Sequence, residues 1–140
     1  MFRGIARGIG LAALAALAGA CGSTPTTPTA PIATITETYQ GTVIPASAGV
    51  FTFTTLTGGS IVATLTTIGP DNTKTVGFSL GTYSGAVCTV ILDNIAATQG
   101  FAFNATASSI GTYCVRIYDN GSTTTDGVPY TFTITVTHPQ

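Results

Sequence analysis

Residues 130–137, YTFTITVT, alternate strictly between a bulky apolar side chain and threonine. Because successive side chains of a β-strand point to opposite faces, this period of two predicts a strand with one buried face and one threonine face. Residues 50–54, VFTFT, show the same pattern earlier in the chain. Threonine is β-branched, fits a pleated surface and makes up 29 of the 120 residues after position 20. The sequence therefore favours an all-β fold.

Short strand-like runs separated by turn residues fill the rest of the chain from residue 36. Gly58-Gly59, residues 69–72 (GPDN) and residues 119–121 (DNG) are typical turn sequences between such runs. The predicted strands are 38–43, 50–56, 60–67, 76–83, 87–92, 101–105, 111–118 and 130–137. This number and spacing favour a jelly-roll-like antiparallel β-sandwich over residues 36–138, with no helix after residue 20.

The first 20 residues carry the three parts of a secretory signal. Arg3 and Arg7 supply the positive start, residues 8–17 form an uncharged apolar run, and small residues 18–20 lead to Cys21. The run is shorter than the roughly 20 apolar residues that a transmembrane helix requires. We therefore predict that residues 1–20 are a signal peptide and that the protein is exported.

Residues 17–21, LAGAC, resemble a lipobox, in which small residues precede a cysteine that receives lipid and becomes the new N-terminus. Residues 21–35 are uncharged and rich in Thr and Pro, a composition that predicts a semi-extended tether. A tether suits a domain anchored to a membrane. We predict a cell-envelope lipoprotein attached through Cys21, in the outer membrane if the cell has one; ordinary cleavage after Ala20 and free secretion is the alternative.

Three cysteines are an odd number for an exported protein. If lipid occupies Cys21, Cys88 and Cys114 remain as a pair in an oxidising compartment, and we expect a disulfide between them. Such a bridge stabilises a fold by about 3–4 kcal/mol in the chain-entropy model. The alternative is two buried free thiols. A zinc site is not expected, because His138 is the only histidine and two cysteines do not complete the shell.

The few ionisable residues narrow the range of functions. After residue 20 the basic residues are Lys74 and Arg116, too few for the basic face that a nucleic-acid partner requires. The five acidic residues are scattered, without a close pair in one motif. His138 lies so near the end of the sequence that we expect it to be structural or solvated, and not held as a general base. We therefore expect neither enzyme activity nor a cofactor.

Two groups of residues are candidates for ligand binding. Asp119, Asn120 and Asp126 bracket one loop and carry oxygen ligands of the kind that calcium prefers. Turn formation accounts for the same residues and is the interpretation that we favour, so no metal site is predicted. The candidate carbohydrate contacts are Tyr39, Tyr83 and Tyr118.

Residues 111–119 (GTYCVRIYD) and 130–136 (YTFTITV) resemble the end of the bacterial pre-peptidase C-terminal domain, which typically reads GTYYVRVY, a Gly-rich loop and YTLTV. Residues 39–43 (YQGTV), 49–54 (GVFTFT) and 58–65 (GGSIVATL) are similar to the opening strands of that family. The resemblance covers roughly residues 36–137 and lies in the order and spacing of these motifs.

This resemblance implies a β-sandwich that accompanies secreted peptidases and other exported proteins and is not itself an enzyme. Members are thought to aid secretion, localisation or substrate attachment. The acidic pair of the family's D-x-D-L-Y-L-Y strand is missing from residues 86–92 (AVCTVIL), which argues against the calcium sites of some relatives.

Two functions from different classes remain. The first is a non-catalytic cell-envelope domain for surface localisation, secretion support or protein interaction. The second is a small carbohydrate- or matrix-binding module, assisted by calcium. A row of exposed aromatic side chains on one sheet would favour the second, and an even threonine surface the first. The expected partners are the membrane, through the lipid, and an unidentified protein or polysaccharide.

Overall fold

The computed structural model of the protein describes residues 29–140. The predicted signal peptide, Cys21 and most of the predicted tether lie outside the described residues. Within the described part, eight strands form the antiparallel β-sandwich that the sequence predicts. They are β1 (Thr34–Val43), β2 (Ala48–Thr55), β3 (Gly59–Gly69), β4 (Val76–Ser84), β5 (Val87–Ala97), β6 (Ala102–Ala107), β7 (Gly111–Tyr118) and β8 (Tyr130–Pro139).

The strands divide equally between two sheets. Sheet A has the order β1-β8-β3-β6, and sheet B has the order β2-β7-β4-β5. Only β4 and β5 follow each other both in sequence and within a sheet, so every other connection crosses from one sheet to the other. This order is that of an eight-stranded jelly roll, the architecture predicted above.

The core lies between the two sheets and is built from the apolar half of each alternating strand. On β8, Phe132, Ile134 and Val136 are buried, while the threonines between them face outward. On β7, Val115 and Ile117 point into the same core. The period of two therefore identified the buried face of these two strands correctly.

A short helix interrupts the all-β pattern. The helix α1 (Ser122–Asp126) lies between β7 and β8, so the expectation of no helix after residue 20 is wrong. Its threonines are weak helix formers, and local contacts form the turn instead. The carboxylate of Asp119 accepts hydrogen bonds from two backbone amides of the turn, and Gly121 and Gly127 provide left-handed backbone at its ends.

Several strand ends differ from the prediction. β1 begins at Thr34, before the predicted domain start at residue 36, and β8 ends at Pro139, just beyond residue 138. β5 continues to Ala97, well past the predicted end at Leu92. The continuation was missed because it begins with Asp-Asn, residue types that are depleted in strands.

The sandwich has two ends of different composition. At the proximal end the chain enters the domain: Thr34 pairs with Pro139, and the amide of Gln140 donates to the carbonyl of Ala33 at 2.9 Å. The proximal end comprises residues 31–33, 56–58, 85–86, 108–110 and 139–140. The distal end comprises the connections 44–47, 70–75, 98–101 and 119–129. Among the described residues, no helix is long and apolar enough to cross a membrane.

Candidate functional site

The three candidate carbohydrate contacts lie on different surfaces. Tyr39 faces the interior at the β1 edge, where its ring stacks on Phe51 with centroids 5.1 Å apart and its hydroxyl donates to Glu37. Burial and this hydrogen bond raise the pKa of the Tyr39 hydroxyl above its ordinary value. Tyr83 and Tyr118 both belong to the outer face of sheet B, but they lie at opposite ends of it. The structure does not bring the three tyrosines together.

The three oxygen-bearing residues of the β7–β8 connection are engaged within the fold. Asp119 accepts hydrogen bonds from three backbone amides at 3.0 to 3.1 Å. Asn120 donates to the carbonyl of Ile95 at 2.8 Å. Asp126 pairs with Lys74 at 2.8 Å, and this hydrogen bond holds the pKa of Asp126 below its ordinary value. Within residues 29–140, no group of three or more His, Cys, Asp and Glu side chains is arranged to hold a metal ion.

His138 is held firmly within the fold. Only 2 % of its surface is exposed, its Nε2 lies 3.2 Å from Oε1 of Glu37, and its ring packs on Phe53 with centroids 5.0 Å apart. The reasoning that a residue near the end of the sequence would not be held is therefore wrong here. The imidazole nevertheless offers no open face to a substrate, because the fold buries it.

The outer face of sheet A is an even surface of threonine. At four successive outward places along β1 and β8, three pairs join threonine with threonine, and the third place pairs Gln40 with Thr133. Some hydroxyls hydrogen-bond across strands, as between Thr36 and Thr137 at 2.7 Å and between Thr66 and Thr135 at 3.1 Å. The outward positions of β3 and β6 add small, uncharged side chains, so this face carries no ionisable group.

The outer face of sheet B is built differently. Gly77, Ser79 and Gly81 occupy the outward positions of β4 and are nevertheless buried. A Cβ at Gly77 would overlap the ring of Tyr118, which therefore lies flat over this strand. Ser79 donates to Asp93 at 2.7 Å, and Asp93 also accepts a hydrogen bond from Tyr118 at 3.1 Å. β4 is thus covered on both faces.

Arg116 completes the polar cluster on this face. Its guanidinium lies 4.4 Å from the centroid of the Tyr118 ring, a cation–π arrangement. Burial, followed by the hydrogen bond to Asp93, raises the pKa of Tyr118 above its ordinary value, while the charge of Arg116 opposes the shift. These groups bind one another, and they hold Tyr118 down on the sheet.

The predicted disulfide between Cys88 and Cys114 is confirmed. The sulfur atoms are 2.08 Å apart and the Cα atoms 5.9 Å apart. The alternative of two free thiols is wrong. The bridge joins β5 to β7, although β4 lies between them in the sheet. The start of β5 therefore folds over the outer face of β4 to reach its partner.

A close backbone approach accompanies this crossing. A Cβ at Gly81 would overlap the carbonyl oxygen of Thr89, so only glycine fits here. The register of the β4–β5 pair shifts between Leu80 and Gly81, which makes Ile91 the extra residue of a β-bulge. Bulges re-aim side chains, and Ile91 is 64 % exposed.

Among the strands of the domain, the edge strand β5 exposes the most large apolar side chains. Val90, Ile91 and Ile95 are exposed there, and we call these three residues the β5 edge patch. A cleft of about 90 Å³ opens beside Ile91, between the edges of the two sheets. Its apolar lining includes Ile61, Leu80, Leu92, Ala105 and Tyr113. The sequence run 87–92 predicted a strand, but not that its side chains face solvent.

No family model matches the chain, and no curated protein or solved structure shows a significant match to it. The resemblance to the pre-peptidase C-terminal domain thus rests on the sequence motifs described above and stays a prediction.

Proposed function

We propose that this protein is a non-catalytic lipoprotein of the cell envelope whose β-sandwich binds an exported protein through the β5 edge patch. The observation that carries the proposal is an unpaired apolar edge strand beside an apolar cleft. The remaining support comes from the N-terminal sequence, the composition of the other surfaces and the disulfide.

An edge strand offers a row of backbone N–H and C=O groups that an extended polypeptide can pair with. Natural proteins commonly protect such edges with Lys, Pro or short strands. β5 is 11 residues long and contains neither Lys nor Pro. Asn120 and Asn94 side chains bind backbone groups near its end, at Ile95 and Ala96, so the open stretch is 87–92.

The side chains beside this open stretch favour an apolar partner segment. Ile91 flanks the cleft, and alternate side chains of an added strand would face it. The only ionisable side chain of β5 is Asp93, which accepts hydrogen bonds from Ser79 and Tyr118. Recognition here would depend on backbone pairing and apolar contact, with little discrimination by charge.

The remaining surfaces favour protein interaction over carbohydrate binding. Every Tyr and Phe side chain in residues 29–140 is buried or half-buried, and Tyr83 and Tyr118 lie at opposite ends of the outer face of sheet B, so these residues form no row of exposed aromatic side chains for sugar rings. The outer face of sheet A has the even threonine surface that favours the first of the two functions considered above.

The proposed location of the protein in the cell envelope rests on residues 1–35. The signal-like residues 1–20, the lipobox-like residues 17–21 and the uncharged tether support export and attachment through Cys21. A disulfide between Cys88 and Cys114 is compatible with an oxidising compartment. The family that the sequence resembles accompanies secreted enzymes, which supports an exported protein as the partner.

The β5 edge patch can be tested by site-specific photo-crosslinking in cells that produce the full chain. A crosslinker at position 91 should yield a defined protein adduct. A crosslinker at position 50 is the matched control, because Val50 is exposed on β2, the other edge strand of the same sheet. Ile91→Asp should then weaken binding of the purified partner at least tenfold, while Val50→Asp should leave it unchanged.

Two results would contradict this proposal. One is equal crosslinking from positions 91 and 50. The other is binding of the purified protein to a polysaccharide or collagen array, with or without calcium, that Ile91→Asp does not change.

The lipid anchor is tested separately. Cys21→Ala should move the protein from the membrane to the soluble fraction, and unchanged membrane association would refute lipidation.

A further inference from the structure

The proximal end of the sandwich carries exposed apolar side chains on neighbouring turns. Leu56 is 58 % exposed and Ile110 is 66 % exposed, and both belong to short connections between the two sheets. Ile32, where the chain enters the domain, and Val87, after the β4–β5 turn, are also exposed. None of these side chains fills the core, and their number at one end requires an explanation.

Hydrogen bonds and close contacts show that most of these segments form one surface. The hydroxyl of Thr55 donates to the carbonyl of Ser109 at 3.2 Å, which joins the end of β2 to the 108–110 turn. The hydroxyl of Thr57 donates to the carbonyl of Gln140 at 3.3 Å. A Cβ at Gly59 would lie 3.6 Å from the side chain of Ile32. The turns at 56–58 and 108–110 therefore lie beside residues 32–33.

Charge is distributed unequally between the two ends. The proximal segments contain no Asp, Glu, Lys or Arg. The ionisable side chains of the connections all belong to the distal end, and they are Asp71, Lys74, Asp119 and Asp126. Connections that lack charged side chains and carry protruding aliphatic ones are suited to the boundary between lipid headgroups and acyl chains.

We propose that the proximal end docks onto the bilayer that holds the lipid anchor, with Leu56 and Ile110 reaching the headgroup–acyl boundary. This inference rests on the proposed lipidation at Cys21. The described chain enters the domain at the proximal end, where Thr34 pairs with Pro139, so a tether from Cys21 would join the domain beside these apolar side chains. The occupant of this surface is thus a lipid bilayer, and no separate protein is required.

The tether alone would leave the domain free to turn away. A Pro-rich tether that adopts the extended conformation its composition favours would gain about 3.1 Å per residue, enough to hold the domain clear of the bilayer. The same tether keeps the proximal end at a high effective concentration near the lipid, so weak docking suffices. Docking would point the distal loops away from the bilayer. It would also orient β5 roughly perpendicular to the membrane and leave the open side of that strand accessible to a partner.

Single tryptophans can report the docked orientation, because the chain contains no natural Trp. Leu56→Trp and Ile110→Trp probe the proximal end. Ile44→Trp and Val128→Trp are matched controls at the distal end, where both residues are exposed. The lipidated mature chain is reconstituted in phosphatidylcholine vesicles with brominated or ordinary acyl chains. The proximal tryptophans should shift to the blue and lose most of their emission in brominated vesicles, whereas the distal ones should lose none.

Intact mass and vesicle flotation separate the two proposals. Protein that carries the lipid mass and floats, but shows no quenching at position 56 or 110, overturns the docking and leaves the anchor intact. Equal quenching at proximal and distal positions also overturns it, because the domain then has no preferred orientation. Protein without lipid mass that does not float overturns both proposals. Unchanged far-UV circular dichroism of each variant excludes misfolding as the cause.

Discussion

Sheet A and sheet B have four strands each, yet different contacts hold them in place. In sheet A the outward side chains are mostly threonine and stay at the surface, so each strand is half-buried. In sheet B the central strand β4 is buried on both faces, because Tyr118 and the start of β5 cover its glycines. One sheet follows a repeated local pattern, and the other depends on particular contacts.

Single substitutions should therefore affect the stability of the two sheets unequally. Sheet A spreads its stability over many equivalent threonine positions, none of which is decisive. Sheet B concentrates it in a disulfide, a close backbone approach at Gly81 and a buried hydrogen bond from Ser79. If this comparison is correct, losses of stability should be large in sheet B and small at matched positions of sheet A.

Removal of the disulfide should have the largest effect. Reduction frees the loop between Cys88 and Cys114, a sequence separation of 26, and should lower the free energy of unfolding by about 3–4 kcal/mol. Urea unfolding with and without reductant measures the loss. The double variant Cys88→Ala/Cys114→Ala is the control and should no longer respond to reductant. An unchanged midpoint on reduction would mean that the crossing of β5 over β4 does not need the bridge.

The close contact between Gly81 and the backbone of Thr89 should be the next most sensitive to substitution. Gly81→Ala places a methyl group against the carbonyl oxygen of Thr89, which cannot move without disturbing the β4–β5 pairing, and should cost about 2–3 kcal/mol. Gly41→Ala is the matched change in sheet A. Its Cβ would lie 2.8 Å from the ring tip of Phe132, a core side chain that can yield more than a paired backbone, so the cost should be smaller, about 1 kcal/mol.

Thermal and urea unfolding of the two glycine variants test this order. Equal losses would contradict the comparison, because they would show that a flexible ring resists displacement as strongly as a paired backbone. A register change in Gly81→Ala, visible as altered amide exchange along β5, would show that the close contact at Gly81 fixes the β4–β5 pairing.

The same contrast explains what could be predicted from the sequence. The alternation in 130–137 and in 50–54 is local, so the strands, the sandwich and the buried face of β8 followed from it. The pairing of Cys88 with Cys114 followed from counting cysteines. Predicting these features requires only residues that are neighbours in sequence or, for the disulfide, a choice among three cysteines.

The double burial of β4 could not be predicted in the same way. Gly77, Ser79 and Gly81 alternate with large core residues, and this small-residue pattern signals that something packs on the second face. Tyr118 is remote in sequence from Gly77. The start of β5 is near in sequence, but its fold over β4 accompanies a bridge to Cys114 on β7, and no local rule predicts either contact. The same holds for His138, which is buried by a β-ladder that joins it to the start of the domain.

Alkaline pH should weaken sheet B through Tyr118. Burial and the hydrogen bond to Asp93 raise the pKa of Tyr118, so the folded state binds this proton more tightly than the unfolded state does. Its contribution is therefore complete below the ordinary tyrosine pKa of about 10 and is lost as the pH rises through the higher folded value. Tyr118→Phe should make the fall in stability above about pH 10 less steep.

Urea midpoints from pH 8 to pH 11 provide the measurement for this change. Some fall should remain in Tyr118→Phe, because Tyr39 and Tyr130 also have raised pKa values. Parallel curves for the variant and the natural protein would show that Tyr118 does not link sheet B to pH.

The threonine face of sheet A should be the least sensitive region. Thr133→Val removes an outward hydroxyl from β8 but keeps the β-branched shape that suits a strand, so the free energy of unfolding should change by less than about 0.5 kcal/mol. Ser79→Ala removes the hydroxyl that binds Asp93 beneath Tyr118 and should cost about 1–2 kcal/mol. Urea unfolding of both variants compares a surface hydroxyl with a buried one. A loss at Thr133 as large as that at Ser79 would mean that the threonines act as a cooperative hydrogen-bonded lattice, and the two sheets would then differ in composition but not in how they distribute stability.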